Sequence, residues 1–206
     1  MKWDYHISYI SNKVSRTVGI LSKLKHYLPK YVLLIIYNSL CISHLSYALT
    51  VWGAAPPSTI NRLNVLHKKG IRYVCNAKYN AHTAPLYKIN KILSFNDLFK
   101  LQCVKIMYKK TQGTLHAYHT NQLTETSSGN DIQTRQKWDI KLKEINKFLE
   151  INSLNLKIGR SWNALPFSIK DNKFKTIDSF TKHVKELYLS QYKNECLIPN
   201  CYICNL

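Results

Sequence analysis

Residues 3–26, WDYHISYISNKVSRTVGILSKLKH, carry the pattern that decides the fold. At 100° per residue, Ile7, Ile10, Val14, Val18 and Leu21 fall on one stripe. Tyr9, Asn12, Lys13, Arg16, Ile20 and Lys23 fall on the opposite side. The spacing predicts an amphipathic helix with one face for packing and one cationic face. A merely solvated face usually mixes Glu with Lys for i,i+4 pairing and solubility. Here no acid follows Asp4 in the segment.

The imbalance extends well beyond this helix. The first 112 residues hold 17 Lys and Arg against two acids, Asp4 and Asp97, a net charge of +15. The remaining 94 residues hold 13 basic and nine acidic side chains. A folded region this lopsided suits a polyanionic partner and resists compaction by itself. It also limits chemistry, because two carboxylates so far apart in sequence are a poor start for a two-metal or paired-acid site.

Three further helices are expected downstream. Pro29 suits the first turn of a second helix, and Tyr31 to Tyr47 is apolar nearly all round, as the buried centre of a bundle would be. After Trp52 and Gly53, the Pro56-Pro57 stop opens a third helix, with Ser58 or Thr59 placed to cap it. Ile60, Leu63, His67, Gly70, Ile71 and Val74 share one side of that helix, and Arg62, Lys68, Lys69 and Arg72 share the other. Ser94 with Asp97 three residues on has the form of a capping box, starting a fourth helix that runs to about Lys110.

From Gln112 to Asn130 the composition shifts to Thr, Ser, Gly, Asn and Gln, the mark of a connector. The expected division is therefore a helical domain at 1–112, a connector at 113–130 and a small C-terminal region at 131–206. In that last region Trp138 to Lys143 and Leu154 to Ile158 alternate apolar with polar, as two short half-buried strands of a hairpin would. Helical spacing returns in Ile177, Phe180, Val184, Leu187 and Leu189. The fold class expected is mainly α, a helical bundle followed by a small α+β region with a short β-hairpin.

Composition supports a folded, soluble chain. Of 206 residues 45% are apolar and only six are Gly and six Pro, which excludes a disordered basic tail as a description of the whole. The N-terminus lacks the apolar core of a signal peptide, and the densest apolar run, Val32 to Tyr37, is too short for a bilayer. The expected location is intracellular, cytoplasmic or nuclear, with no membrane partner. Cys41, Cys75 and Cys103 fall inside apolar helical patterns, where a thiol behaves as a small hydrophobe, and this favours a reducing compartment. Cys196, Cys201 and Cys204 close the chain. The Cys201 and Cys204 pair could seat two corners of a zinc site with Cys196 and His183, or the three could form a free, reduced tail; no His follows Cys196. No metal and no cofactor is expected.

Other chemistries leave little trace. No Gly-rich phosphate loop and no Gly-x-Ser-x-Gly turn occurs. His6, His26, His44 and His67 each stand alone on an apolar or boundary face, where a satisfied structural hydrogen bond is the usual role. Trp52 and Trp162 read as core residues, with Trp162 pinning one turn of helix to the expected sheet.

Several stretches, taken in register, resemble the C-terminal part of the reverse transcriptase of non-LTR retrotransposons (LINEs) of the jockey/CR1-like branch. They are Trp3 to Ile7 leading to Lys13 through Leu21, Leu28-Pro29, Leu34 to Leu40, and His44 to Tyr47 through Trp52-Gly53. The series continues with Leu63 to Arg72, Thr134-Arg135 and Trp162 to Pro166. The resemblance implies a helical thumb that follows the palm and grips the template–primer duplex, with a smaller C-terminal region behind it. The Tyr/Phe-x-Asp-Asp motif of the palm is absent, since no two Asp residues are adjacent. What it implies is a polymerase fragment without fingers or palm, not an enzyme by itself. In that reading Lys13, Arg16 and Lys23 on the first helix, with Lys68, Lys69 and Arg72 on the third, contact phosphate without regard to sequence. The partners implied are an RNA–DNA or other duplex, and a complete polymerase or another protein at the palm-facing surface. The alternatives are a protein–protein interaction module or a remnant with no nucleic-acid role.

Overall fold

The computed structural model describes residues 3–115, 139, 154–171 and 174–192. Among them every regular element is helical. The first are α1 (Asp4–Leu24), α2 (Lys30–Ile36), a π-helical segment (Tyr37–Ile42), α3 (Ser43–Ser46), α4 (Leu49–Trp52) and α5 (Pro57–Val74). There follow α6 (Thr83–Ile89), α7 (Phe95–Thr111), α8 (Leu154–Asn163), α9 (Phe167–Lys170) and α10 (Ile177–Ser190). Two compact units result: one takes the chain as far as Leu98 and takes it up again from Leu187, and the other is Phe99–Glu186. The helices expected within 1–112 belong to the first unit as far as Leu98. The connector expected at 113–130 lies, beyond residue 115, outside the described residues.

The stripe on α1 packs as its spacing predicts. Ile7, Ile10, Val14, Val18 and Leu21 are buried, joined by Ser11 and Thr17. Most of the partner surface is α5, which buries Ile60, Leu63, His67, Gly70, Ile71 and Val74. The two helices run parallel. Thr59 Oγ1 donates to Asp4 Oδ1 and Arg62 Nη2 to Asn12 Oδ1, each at 3.3 Å, and Lys25 at the end of α1 reaches the Tyr73 ring. Val14, Leu21, Leu63 and Ile71 are fully withdrawn from water, and each such burial stabilises by roughly 1.5–3 kcal/mol. Gly70 leaves room for the Tyr37 ring to pack against α5. A Cβ there would lie 2.7 Å from Tyr37 Cε2 and 3.5 Å from Val18 Cγ2.

The start of α5 differs from the expectation. Pro56 is the cap and Pro57 the first helical residue, with no side-chain cap, so Ser58 and Thr59 sit inside the first turn. A Pro at the first position loses no hydrogen bond and arrives with helical φ, which makes a Ser or Thr cap unnecessary.

Between Lys30 and Ser46 the chain is helical throughout, but Tyr37–Ile42 is π-helical. Leu33, Tyr37, Cys41, Leu45 and then Leu49 are buried, at steps of four. Steps of four drift by about 40° on an α-helix, and a π turn, holding more residues, takes that drift out. The expectation of a centrally buried helix needs correction on its outer side, where Ile35 is 62% and Leu40 42% exposed. Apolar composition all round did not bring burial all round. Extended Tyr47 and left-handed Ala48, with φ +47°, break the run before α4. Trp52 is fully buried and its Nε1 donates to the Tyr47 carbonyl at 2.9 Å, a core role as expected.

Ser94 caps α7 as predicted. Asp97 N–H donates to Ser94 Oγ at 3.3 Å, and Ser94 Oγ–H donates back to the Asp97 carboxylate at 2.7 Å. Tyr192, beyond α10, joins this box. Its hydroxyl donates to Asp97 Oδ2 at 2.5 Å and accepts from the Ser94 N–H at 2.8 Å, while Lys88 Nζ donates to its carbonyl.

In the second unit the expected hairpin is corrected. Leu154–Asn163 is a helix, with Leu156, Ile158, Gly159 and Trp162 buried. Trp138–Lys143, apart from Asp139, lies outside the described residues. Trp162 is buried as expected, but against the Phe180 ring of α10, at 6.4 Å, and not against a sheet. Phe180 also stacks on Tyr108 at 4.4 Å and meets Phe174 edge-on. Lys170 Nζ pairs with Asp139 at 2.6 Å and donates to the Asn163 carbonyl.

Candidate nucleic-acid interface

The outer face of α1 collects Tyr5, Tyr9, Lys13, Arg16, Ile20 and Lys23, because residues four and three apart fall on one side of a helix. Tyr5, Tyr9, Arg16, Ile20 and Lys23 are exposed and Lys13 is half-buried. Lys13 Nζ stands 5.5 Å from the centroid of the Tyr9 ring, close enough for cation–π attraction. None of these cations pairs with a carboxylate among the described residues. Asp4, the one acid of the helix, accepts from Thr59 at the packed side.

The three cations expected on α5 divide between its two flanks. Lys69 lies on the flank nearest α1, 5.9 Å from the Tyr73 ring that Lys25 approaches at 5.4 Å. Lys68 is on the other flank, where it lines a cavity of about 320 Å³ with Asn61, Asn64, Tyr87, Ser94 and Tyr192. Arg72 is half-buried on that side, and its Nε donates to the Ala81 carbonyl at 2.8 Å, which ties down the chain after α5. The structure thus brings together Lys13, Arg16 and Lys23, adds Lys69 and Lys25 along the α1–α5 side, and turns Lys68 and Arg72 away. Sequence reasoning passed over Tyr5 and Lys25. Tyr5 stands one turn before Tyr9, a spacing that could have found it; Lys25, four residues after Leu21, falls by helical spacing on the apolar stripe and so away from the cations.

The same unit holds a buried polar pair. Tyr37 Oη and His67 Nδ1 are 2.5 Å apart, and His67 Nε2 lies 2.9 Å from the Leu93 carbonyl. A carbonyl only accepts, so Nε2 carries the proton and Nδ1 accepts from Tyr37. Burial pushes the His67 pKa down to about 4, against the opposing pull of the Leu93 carbonyl, and so holds the ring neutral. His67 therefore has the structural role expected of it. His26 and His44 are exposed instead, and His6 lies edge-on to Trp3 and Trp52. Cys41 and Cys103 are fully buried, and burial raises each thiol to about 12, far from a reactive thiolate. No group of metal ligands occurs among the described residues, and Cys196, Cys201 and Cys204 lie outside them. Among the described residues no helix is long and apolar enough to cross a membrane.

No family model matches this chain, and neither does any curated protein or solved structure.

Proposed function

We propose that this chain is a non-catalytic nucleic-acid binder, the thumb and following region of a non-LTR retrotransposon reverse transcriptase. One observation carries the reading: Lys13, Arg16 and Lys23 share an exposed face of α1 that holds no acid, in a region of net charge +15. The sequence resemblance set out above supplies the family. Contact through such a face is to phosphate and tracks a backbone, so base preference is slight. This reading favours Lys13, Arg16, Lys23 and Lys69 as the contacts, since Arg72 donates to the Ala81 carbonyl.

The test is binding of purified protein to labelled RNA–DNA and DNA duplexes over a range of salt. With five to seven phosphates neutralised, the log–log slope is about −4 to −6. Joint reversal of Lys13, Arg16 and Lys69 to Glu abolishes binding. Binding that ignores salt, or no binding at low salt, sinks the reading. Primer extension by this chain alone is expected to fail, because nucleotidyl transfer needs carboxylates converging on a metal pair.

A second reading is favoured by Tyr31, Ile35 and Leu40, which are 68%, 62% and 42% exposed on the outer side of α2 and the π segment. Such apolar surface suits a protein partner. Size-exclusion chromatography with light scattering separates the readings, as a monodisperse monomer counts against a sticky α2 face.

A further inference from the structure

The outer face of α1 is more than a row of charges. Tyr5 is 88% exposed and Tyr9 54%, one helical turn apart on the side that carries Lys13, Arg16 and Lys23. Two large rings held this far out on a rigid helix stabilise nothing in the core. We infer that this face takes an unpaired nucleic-acid strand, with Tyr5 and Tyr9 stacking on bases and Lys13, Arg16 and Lys23 meeting its phosphates. The inference rests on the reading of the first unit as a nucleic-acid binder and names its ligand more narrowly.

Ring geometry separates an unpaired strand from a duplex. Inside a duplex both faces of every internal base are covered by its neighbours, so an exposed tyrosine finds no base face to stack on. The rise between Tyr5 and Tyr9 is about 6 Å, whereas stacked bases on one strand rise about 3.4 Å. Bases seated on both rings must therefore be drawn apart, which an unpaired strand allows. From Tyr5 to Lys23 the face runs about 27 Å, room for several nucleotides of an extended strand. Aromatic platforms alternating with cations are the usual means of holding single strands without sequence preference. Lys13 beside the Tyr9 ring places a cation next to the platform.

A lipid surface is the other polyanion to consider, and the face is poorly made for it. Membrane-lying helices insert a broad apolar face of Trp, Phe and Leu. Here Ile20 stands as a single large aliphatic residue among the cations, and Ile7, Ile10, Val14, Val18 and Leu21 of α1 are buried in the core.

The experiment uses the whole chain and fluorescence anisotropy with four probes: a labelled oligothymidylate, a strand of equal length built of abasic sites, a duplex, and anionic phosphatidylserine vesicles. The abasic strand keeps the phosphates and lacks the bases. The expected result is binding of oligothymidylate on the order of tenfold tighter than the abasic strand. That margin disappears in the Tyr5→Ala/Tyr9→Ala double variant and survives in Tyr5→Phe/Tyr9→Phe. Circular dichroism checks folding, which the exposed positions should not disturb. Equal binding of the abasic strand, or no effect of the alanine variant, overturns the inference while salt-dependent duplex binding leaves the wider reading standing. Vesicle binding without binding to any nucleic acid overturns both.

Discussion

The Tyr37 hydroxyl donates to His67 Nδ1 at 2.5 Å, joining the π-helical segment to α5 at residues 30 apart in sequence. Both side chains are buried, and the far nitrogen of the imidazole is held by the Leu93 carbonyl. Tyr37→Phe removes the donor and leaves Nδ1 without a partner in a site closed to water. The expected loss is about 1–3 kcal/mol of unfolding free energy, seen as a lower urea midpoint. An unchanged midpoint would show that the bond contributes nothing net.

The same histidine makes stability depend on pH. Unfolded, it takes up its proton near pH 6.5; folded, only near pH 4. Between these values the unfolded chain binds more protons, so stability present above pH 6.5 is lost as pH falls and the loss levels off near pH 4. The gap caps this contribution at roughly 3 kcal/mol. Urea titrations at half-unit steps from pH 7 to pH 4 measure it, and a flat profile contradicts the assignment of a neutral, buried ring.

Two glycines in the α1–α5 layer respond in opposite directions. Gly70→Ala puts a Cβ 2.7 Å from the Tyr37 ring, which cannot swing away without breaking its bond to His67, and costs about 1–3 kcal/mol. Gly19 lies within α1 with nothing inside 4 Å of its would-be Cβ. Gly19→Ala gains about 0.5–1 kcal/mol through helix propensity. Thermal midpoints of the two variants against the parent decide both signs in one measurement.

Arg72 and Lys69, three residues apart, separate stability from binding. Arg72→Gln loses the bond to the Ala81 carbonyl and lowers stability by about 1 kcal/mol or more, with little change in nucleic-acid affinity. Lys69→Gln leaves stability within about 0.5 kcal/mol and reduces the magnitude of the salt slope by about 1. The reverse pattern would move the interface to the flank of α5 that carries Arg72.

Much of the first unit was legible in the sequence because α1 and α5 each carry a stripe of apolar residues at helical spacing. Ser94 and Asp97 declared a helix start through a local hydrogen-bond pattern that needs no tertiary context. Leu154 to Ile158 misled because alternation over five residues fits a strand as well as a helix. The helix becomes visible only when Leu156, Gly159 and Trp162, three apart and all buried, are taken together. The split of Lys68 from Lys69 was written in the 100° between consecutive helical residues. Which of them faces α1 depended on how α5 packs, and no local pattern encodes that. Tyr192 closing the Ser94 box is a contact over 95 residues or more of sequence, beyond any local signal.

The π-helical segment has a consequence for comparing this chain with others. Its turns hold more residues than α turns, so the helix from Lys30 to Ser46 contains slack of about one residue. A related chain could lack a residue between Tyr37 and Ile42, keep an ordinary α-helix there, and still present the counterparts of Leu33 and Leu45 to the same neighbours. A gap placed inside a continuous helix is ordinarily penalised as structurally impossible. Here it is the correct placement, and an ungapped alignment would shift Leu45, Leu49 and Trp52 off their true equivalents.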